Sequence, residues 1–137
     1  MNEITEAIIG GAIEVHRLLG PGLLESVYEC CLAHELTLRG LAIERKKRLS
    51  ISYKGIEMAD AFETDLVVER KIVVELKAVR QLHEIHEAQL LTYLRLADLR
   101  LGLLINFNER LLKNGIRRRV NAYLPDPHIP RSTEDLP

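Results

Sequence analysis

Residues 61–79, AFETDLVVERKIVVELKAV, hold two apolar runs on either side of a charged tripeptide, and their pairing decides the fold. The second run, from Ile72 to Val79, has the composition of a buried strand but carries Glu75 and Lys77. An interior carboxylate or ammonium costs several kcal/mol unless something compensates it. Strand side chains alternate, so Val73, Glu75 and Lys77 share one face while Ile72, Val74, Leu76 and Ala78 share the other. In the first run, Phe62, Leu66 and Val68 fall on one face, and Glu63, Asp65 and Val67 on the opposite one. A turn over Glu69–Lys71 sets Val68 against Ile72 and Asp65 against Glu75, with Cβ atoms ~5 Å apart. That tripeptide lacks the glycine three-residue hairpins prefer, and a two-residue turn sets Asp65 against Val74 instead. The sequence leaves both registers open.

In the first register Asp65, Glu75 and Lys77 converge. Two adjacent carboxylates repel, and one protonates unless a cation lies between them. Mg²⁺ or Mn²⁺ suits such a pair, since a hard ion takes one or two carboxylates and completes its shell with water. Such an ion acidifies bound water and stabilises charge on a phosphoryl oxygen. Lys77 then orients the attacking hydroxide or neutralises charge on the phosphorus centre. The set points to metal-dependent phosphodiester hydrolysis. The competing reading is a solvated sheet face with a structural Glu75–Lys77 ion pair.

Outward from this hairpin, apolar spacing predicts a helix over 4–19 (Ile4, Ile8, Ala12, Val15, Leu19) that ends at Gly20-Pro21-Gly22. A second helix is predicted over 24–39, with Val27, Cys31, Leu32, Leu36 and Leu38 available for burial and Gly40 as its stop. Leu49, Ile51 and Tyr53 alternate as a short strand closed by Lys54-Gly55. Residues 83–97 read as a helix packing through Leu90, Leu91, Leu94 and Ala97, and 99–107 as a buried strand. The basic stretch 109–124 receives no assignment. The order is α-α-β-β-β-α-β, an α/β fold with a mixed sheet flanked by helices. One domain over 1–124 is expected, followed by a loose Pro-rich tail, 125–137.

The bulk properties fit. The 137 residues are 47% hydrophobic and 28% charged, as in an ordinary globular domain. A net charge of −1 does not announce nucleic-acid binding, so phosphate contacts must come from local patches. The only cysteines, Cys30 and Cys31, are adjacent, which excludes a four-thiolate site and fits a reduced, cytoplasmic setting; both are expected in or near the core. The acidic N-terminus is unlike a signal peptide, and no apolar run spans a membrane.

The spacing D-x(9)-E-L-K over Asp65, Glu75 and Lys77, followed by Gln89-x-x-x-Tyr93, resembles the PD-(D/E)XK nuclease superfamily, especially its RecB-like branch. GLLESVY (22–28) matches the G-x-x-E-x-x-Y signature of the GxxExxY protein family within that superfamily. HEAQLLTYLRLADLRLGLLINFN (86–108) is similar to the same family, and the resemblance covers about residues 4–121. It implies a restriction-endonuclease-like core and a Mg²⁺- or Mn²⁺-dependent nuclease acting on nucleic acid, with DNA as the expected substrate. Asp65 and Glu75 are then metal ligands, joined by Glu25 and with the Leu76 carbonyl as a third candidate. Lys77 is the catalytic lysine, and Gln89 and Tyr93, one helical turn apart, position the strand. The position before Asp65 is Thr64 rather than the proline of the superfamily's name; that proline is not a ligand. Asp60 ranks behind Asp65, because an unbroken strand places it on the opposite face.

Taken alone, Glu25 reads first as a first-turn acid complementing a helix dipole, and the resemblance is what draws it to the site. Tyr28 reads as a packing residue whose hydroxyl needs a partner. His83 and His86 lack a third ligand for zinc, although His86 falls near the expected site rim. The runs Arg45–Arg48 and Arg117–Arg119 are the candidate phosphate contacts. The rival functional reading is a nucleic-acid- or protein-binding module on the same fold. No appended recognition domain is evident, so a homodimer or a partner protein is the candidate source of substrate selection.

Overall fold

The computed structural model describes residues 2–122, so the tail expected at 125–137 lies outside the described residues. Two helices, α1 (Asn2–Leu19) and α2 (Glu25–Leu38), precede three strands, β1 (Ile43–Tyr53), β2 (Ile56–Val68) and β3 (Ile72–Lys77). Then come α3 (Glu84–Ala97), β4 (Leu101–Asn106), a single 3₁₀ turn (Leu112–Gly115) and β5 (Ile116–Val120). The strands form one sheet in the order β1-β2-β3-β4-β5. Only the β3–β4 pair is parallel, because α3 carries the chain back across the sheet between them.

The hairpin adopts the first of the two registers, with Val68 opposite Ile72, Val67 opposite Val73 and Leu66 opposite Val74. Without a glycine, the turn is made by Glu69 and Arg70 in left-handed backbone, φ 54° and 55°. Such φ values are uncommon for residues with a Cβ. Part of their support is visible: the Glu69 N–H donates to the Ala42 carbonyl, and its carboxylate accepts the Ala42 N–H at 2.7 Å.

Alternation sorts the sheet into two cores. Leu66, Val68, Ile72, Val74, Leu76, Leu101, Leu103 and Ile105 bury one face against Ile8, Ala12, Val15, Leu32 and Leu36 of α1 and α2. Val67, Val73 and Leu104 bury the other face against Leu90 and Leu94 of α3. The result is an α/β mixed five-stranded sheet flanked by three helices, a restriction-endonuclease-like arrangement.

Several local expectations are corrected. The strand expected around Leu49–Tyr53 begins at Ile43 and absorbs the basic run, and the basic segment after residue 109 supplies a fifth strand. On α2 the buried face is Tyr28, Glu29, Leu32, Ala33 and Leu36, whereas Val27 and Leu38 are exposed. Leu19 and Cys30 are exposed as well, while Cys31 packs partly against the core. Phe62 does not follow Leu66 toward α1 and α2; it stacks on Tyr93 of α3 with ring centroids 4.9 Å apart. The long β1–β2 ribbon is irregular near this point, with left-handed Lys46 and Asp60 and a register shift between Leu49 and Ile51.

Gly102 brings α3 down onto the sheet, since a Cβ there would lie 2.8 Å from Leu90 Cδ1 and 3.1 Å from its Cγ. Gly102→Ala is expected to lower unfolding stability by about 1–3 kcal/mol through overpacking. The same change made in a Leu90→Ala background should cost measurably less, a coupling that a denaturant-melt double-mutant cycle reads directly.

Candidate active site

The site forms where β2 and β3 begin to diverge. One step beyond the Leu66–Val74 pair, main-chain groups turn to side chains. The Asp65 N–H donates to Glu75 Oε1 at 3.1 Å, and the Leu76 N–H donates to Asp65 Oδ2 at 2.8 Å. Each carboxylate is thus held by the opposing strand, and the two acids face each other as the first register requires. Glu75 is buried and Asp65 half-buried. Burial first, and then the charge of Asp65, push the Glu75 carboxyl up to about 8; the Asp65 N–H and the charge of Lys77 offset only part of this.

Lys77, the next residue on that face of β3, acts electrostatically on Glu75, Glu25 and His86 alike. Glu25 belongs to the first turn of α2, on the far layer, and reaches around the end of β3 to the Ala78 N–H. Tyr28 explains how it gets there. This fully buried ring stacks on Phe107 at 4.6 Å, its hydroxyl donates to the Gly20 carbonyl at 2.5 Å, and it accepts the Leu23 N–H at 3.1 Å. The Gly20–Leu23 bend is thereby tied to the start of α2, and the carboxylate of Glu25 with it. Its pKa is raised, chiefly by burial, with Asp65 and Glu29 adding to the effect against Lys77 and Ala78.

Tyr93 borders the acids from α3: burial and the charges of Glu75 and Asp65 raise its pKa, while a hydrogen bond with Gln89 opposes them. Asp65, Glu75, Lys77, Glu25, Gln89 and Tyr93 therefore come together. Asp60, in exposed left-handed backbone, shows no contact with this cluster among the described residues. Thr64 is fully buried, its hydroxyl directed at the Lys47 carbonyl 3.4 Å away.

Two contributors escaped the sequence reading. Asn106, fully buried at the end of β4, accepts the Val79 N–H at 3.0 Å and donates to the Val79 carbonyl at 2.9 Å. With the Phe107 N–H bonded to the Lys77 carbonyl at 2.8 Å, it fixes the path of the chain leaving β3. Its only signal was a lone polar residue inside the apolar run LGLLINF. Glu29, one turn beyond Glu25, is also buried; Oε2 lies 3.7 Å from Arg45, and Oε1 has no hydrogen-bond partner among the described residues. The basic runs contribute less than expected. Arg45 faces Glu29, Lys47 pairs with Glu44, Arg48 pairs with Glu63, and Arg117 and Arg119 both turn to Glu87.

Among the described residues, no three His, Cys, Asp or Glu side chains stand close enough together to cage a metal ion unaided. A hard divalent ion asks for less, one or two carboxylates with water completing its shell. The donor chemistry fits that demand, because Glu75 is driven to hold a proton beside Asp65 and a cation relieves both burial and repulsion.

A carboxyl raised from 4.5 to about 8 keeps a proton in the folded state that the unfolded chain releases. Folding stability should therefore fall as pH rises from about 4.5 to about 8, by at most ~1.4 kcal/mol per pH unit. Urea melts across that range should show the slope in the wild type and a flatter profile in Glu75→Gln. A wild type as flat as the variant would contradict the assignment.

A family model of the PD-(D/E)XK nuclease superfamily matches residues 2–119. No curated protein and no solved structure gave a match. Among the described residues, no helix is long and apolar enough to cross a membrane. With the opposed acids, the lysine two residues on and the mixed sheet that carries them, the chain belongs to the PD-(D/E)XK nuclease superfamily.

Proposed function

We propose that this protein is a Mg²⁺- or Mn²⁺-dependent nuclease hydrolysing phosphodiester bonds in DNA, of the GxxExxY type within the RecB-like branch, and that it works as one domain. The observation that carries this reading is the opposed pair Asp65–Glu75 with Lys77 on the same face. Asp65 and Glu75 would hold the ion, with Glu25 reaching in from α2. When bound, such an ion acidifies a water and draws charge from the phosphoryl oxygens.

The remaining work falls to the chain itself. Lys77 presents a cation beside the acids, where it orients the attacking water and offsets charge growing on the phosphate. Glu25, held by the Ala78 N–H, faces the same space and serves as an acceptor for that water. The Tyr93 hydroxyl, kept protonated and bonded to Gln89, offers a neutral donor to the strand's backbone oxygens. Its stack on Phe62 makes the ring rigid, so the donor is prepositioned.

The test is cleavage of end-labelled single- and double-stranded DNA with Mg²⁺ or Mn²⁺. Lys77→Ala should fold with an unchanged melting temperature and lose about 10²–10⁴-fold in rate. Wild-type protein that cuts neither substrate with either metal would replace this reading with a binding module on the same fold.

A further inference from the structure

Five of the seven basic side chains in the two runs face acids, which turns attention to other basic groups near the site for its phosphate contacts. Directly after β3 the chain lines an open cavity of ≈ 580 Å³ with Val79, Arg80, Gln81, His83 and His86. Its position is that of a ligand crevice in an α/β sheet, at the carboxyl end of a parallel strand and before the helix that follows. The volume accommodates a phosphate together with the sugar or base attached to it.

No acidic side chain lines this cavity, and Arg80 gives it a positive charge. Arg80, His83 and His86 make no ion pair with an acidic side chain among the described residues. Of the acids at the start of α3, Glu87 is engaged by Arg119 and Arg117, and Glu84 is exposed. The charge of Lys77 acts on His86, which lines the cavity, and Arg80 follows Lys77 by three residues along the chain. His86 is oriented as well. Its Nδ1 accepts the His83 N–H at 3.1 Å, which leaves Nε2 as the N–H of the neutral ring. The same residues open a 14-residue helix, whose positive end adds to the attraction for an anion.

We propose that the cavity at the β3–α3 junction binds a phosphate group of the nucleic-acid strand through Arg80, His83 and His86, and so sets which phosphodiester bond lies at Lys77. Binding stands on the cavity alone; the consequence for cleavage rests on the nuclease reading above. The phosphate comes either from within the strand or from its end, and Arg80 supplies a fork that holds it through two N–H groups.

Inorganic phosphate titrated into the full chain should shift the imidazole resonances of His83 and His86 saturably, and Arg80→Ala should weaken that binding about tenfold. His83→Ala, with an unchanged melting temperature, should weaken it in the same direction. In cleavage assays Arg80→Ala should raise KM about tenfold while leaving kcat within about twofold, as expected for lost binding shared by ground and transition states. A preference for 5′-phosphorylated over 5′-hydroxyl oligonucleotides that Arg80→Ala removes assigns an end phosphate. A KM effect equal on both assigns an internal one. Absence of saturable shifts at His83 and His86, or equal phosphate affinity in wild type and both variants, overturns the proposal. Phosphate binding at the cavity in a protein that cuts no DNA would instead remove the nuclease reading and leave this site standing.

Discussion

The opposition of Asp65 and Glu75 across one hairpin is the constraint around which the rest of the molecule is arranged. Each carboxylate is anchored by a main-chain N–H of the strand pair, so neither can swing into solvent without losing a hydrogen bond. Burial and mutual repulsion make the arrangement unfavourable for two free anions, and the rise of the Glu75 pKa is the measure of that conflict. A compensating cation resolves it. The protein keeps a locally costly feature at the place where its chemistry is expected, and the stability for it comes from the packed layers on either side.

Those layers divide the labour. The α1–α2 layer buries the larger apolar core and, through Tyr28 and the Gly20–Leu23 bend, delivers Glu25 to the end of β3. The α3 layer packs closely through Leu90 over Gly102, and that approach brings Gln89, Tyr93 and His86 to the acid pair and Lys77. Asn106 joins the two by holding Val79, so the chain leaving β3 enters the cavity lined by Arg80 on a fixed path. Acid pair, lysine and cavity then pass from acidic to basic side chains over a few residues of β3 and its exit.

Much of this was legible in order along the chain. Glu75 and Lys77 could be placed on one face of their strand, and Asp65 opposite Glu75 in one of two registers, because strand periodicity is two and the turn length allows only a few registers. The same periodicity misplaced Phe62, since its partner Tyr93 lies on α3, 31 residues along the chain. The basic runs were read as phosphate contacts because their positive charge is visible in sequence, whereas their partners Glu29, Glu63 and Glu87 lie on other elements or strands. Asn106 looked like an ordinary residue at the end of an apolar strand, because its partner Val79 is distant along the chain.

By itself the sequence determined the face shared by Glu75 and Lys77, the order of the helices and most strands and the chemical identity of the acid pair, all of which depend on spacing within one element or across one turn. Only the tertiary structure decided which register the glycine-free turn adopts. That choice draws on contacts with Ala42, far from the turn in sequence, that help hold Glu69 in left-handed backbone. It also decided the direction from which Glu25 enters, the pairing of the basic runs, and the cavity beside Lys77. Each of these is a distance between residues on separate elements, and such distances are set by how the layers pack rather than by any local preference of the chain.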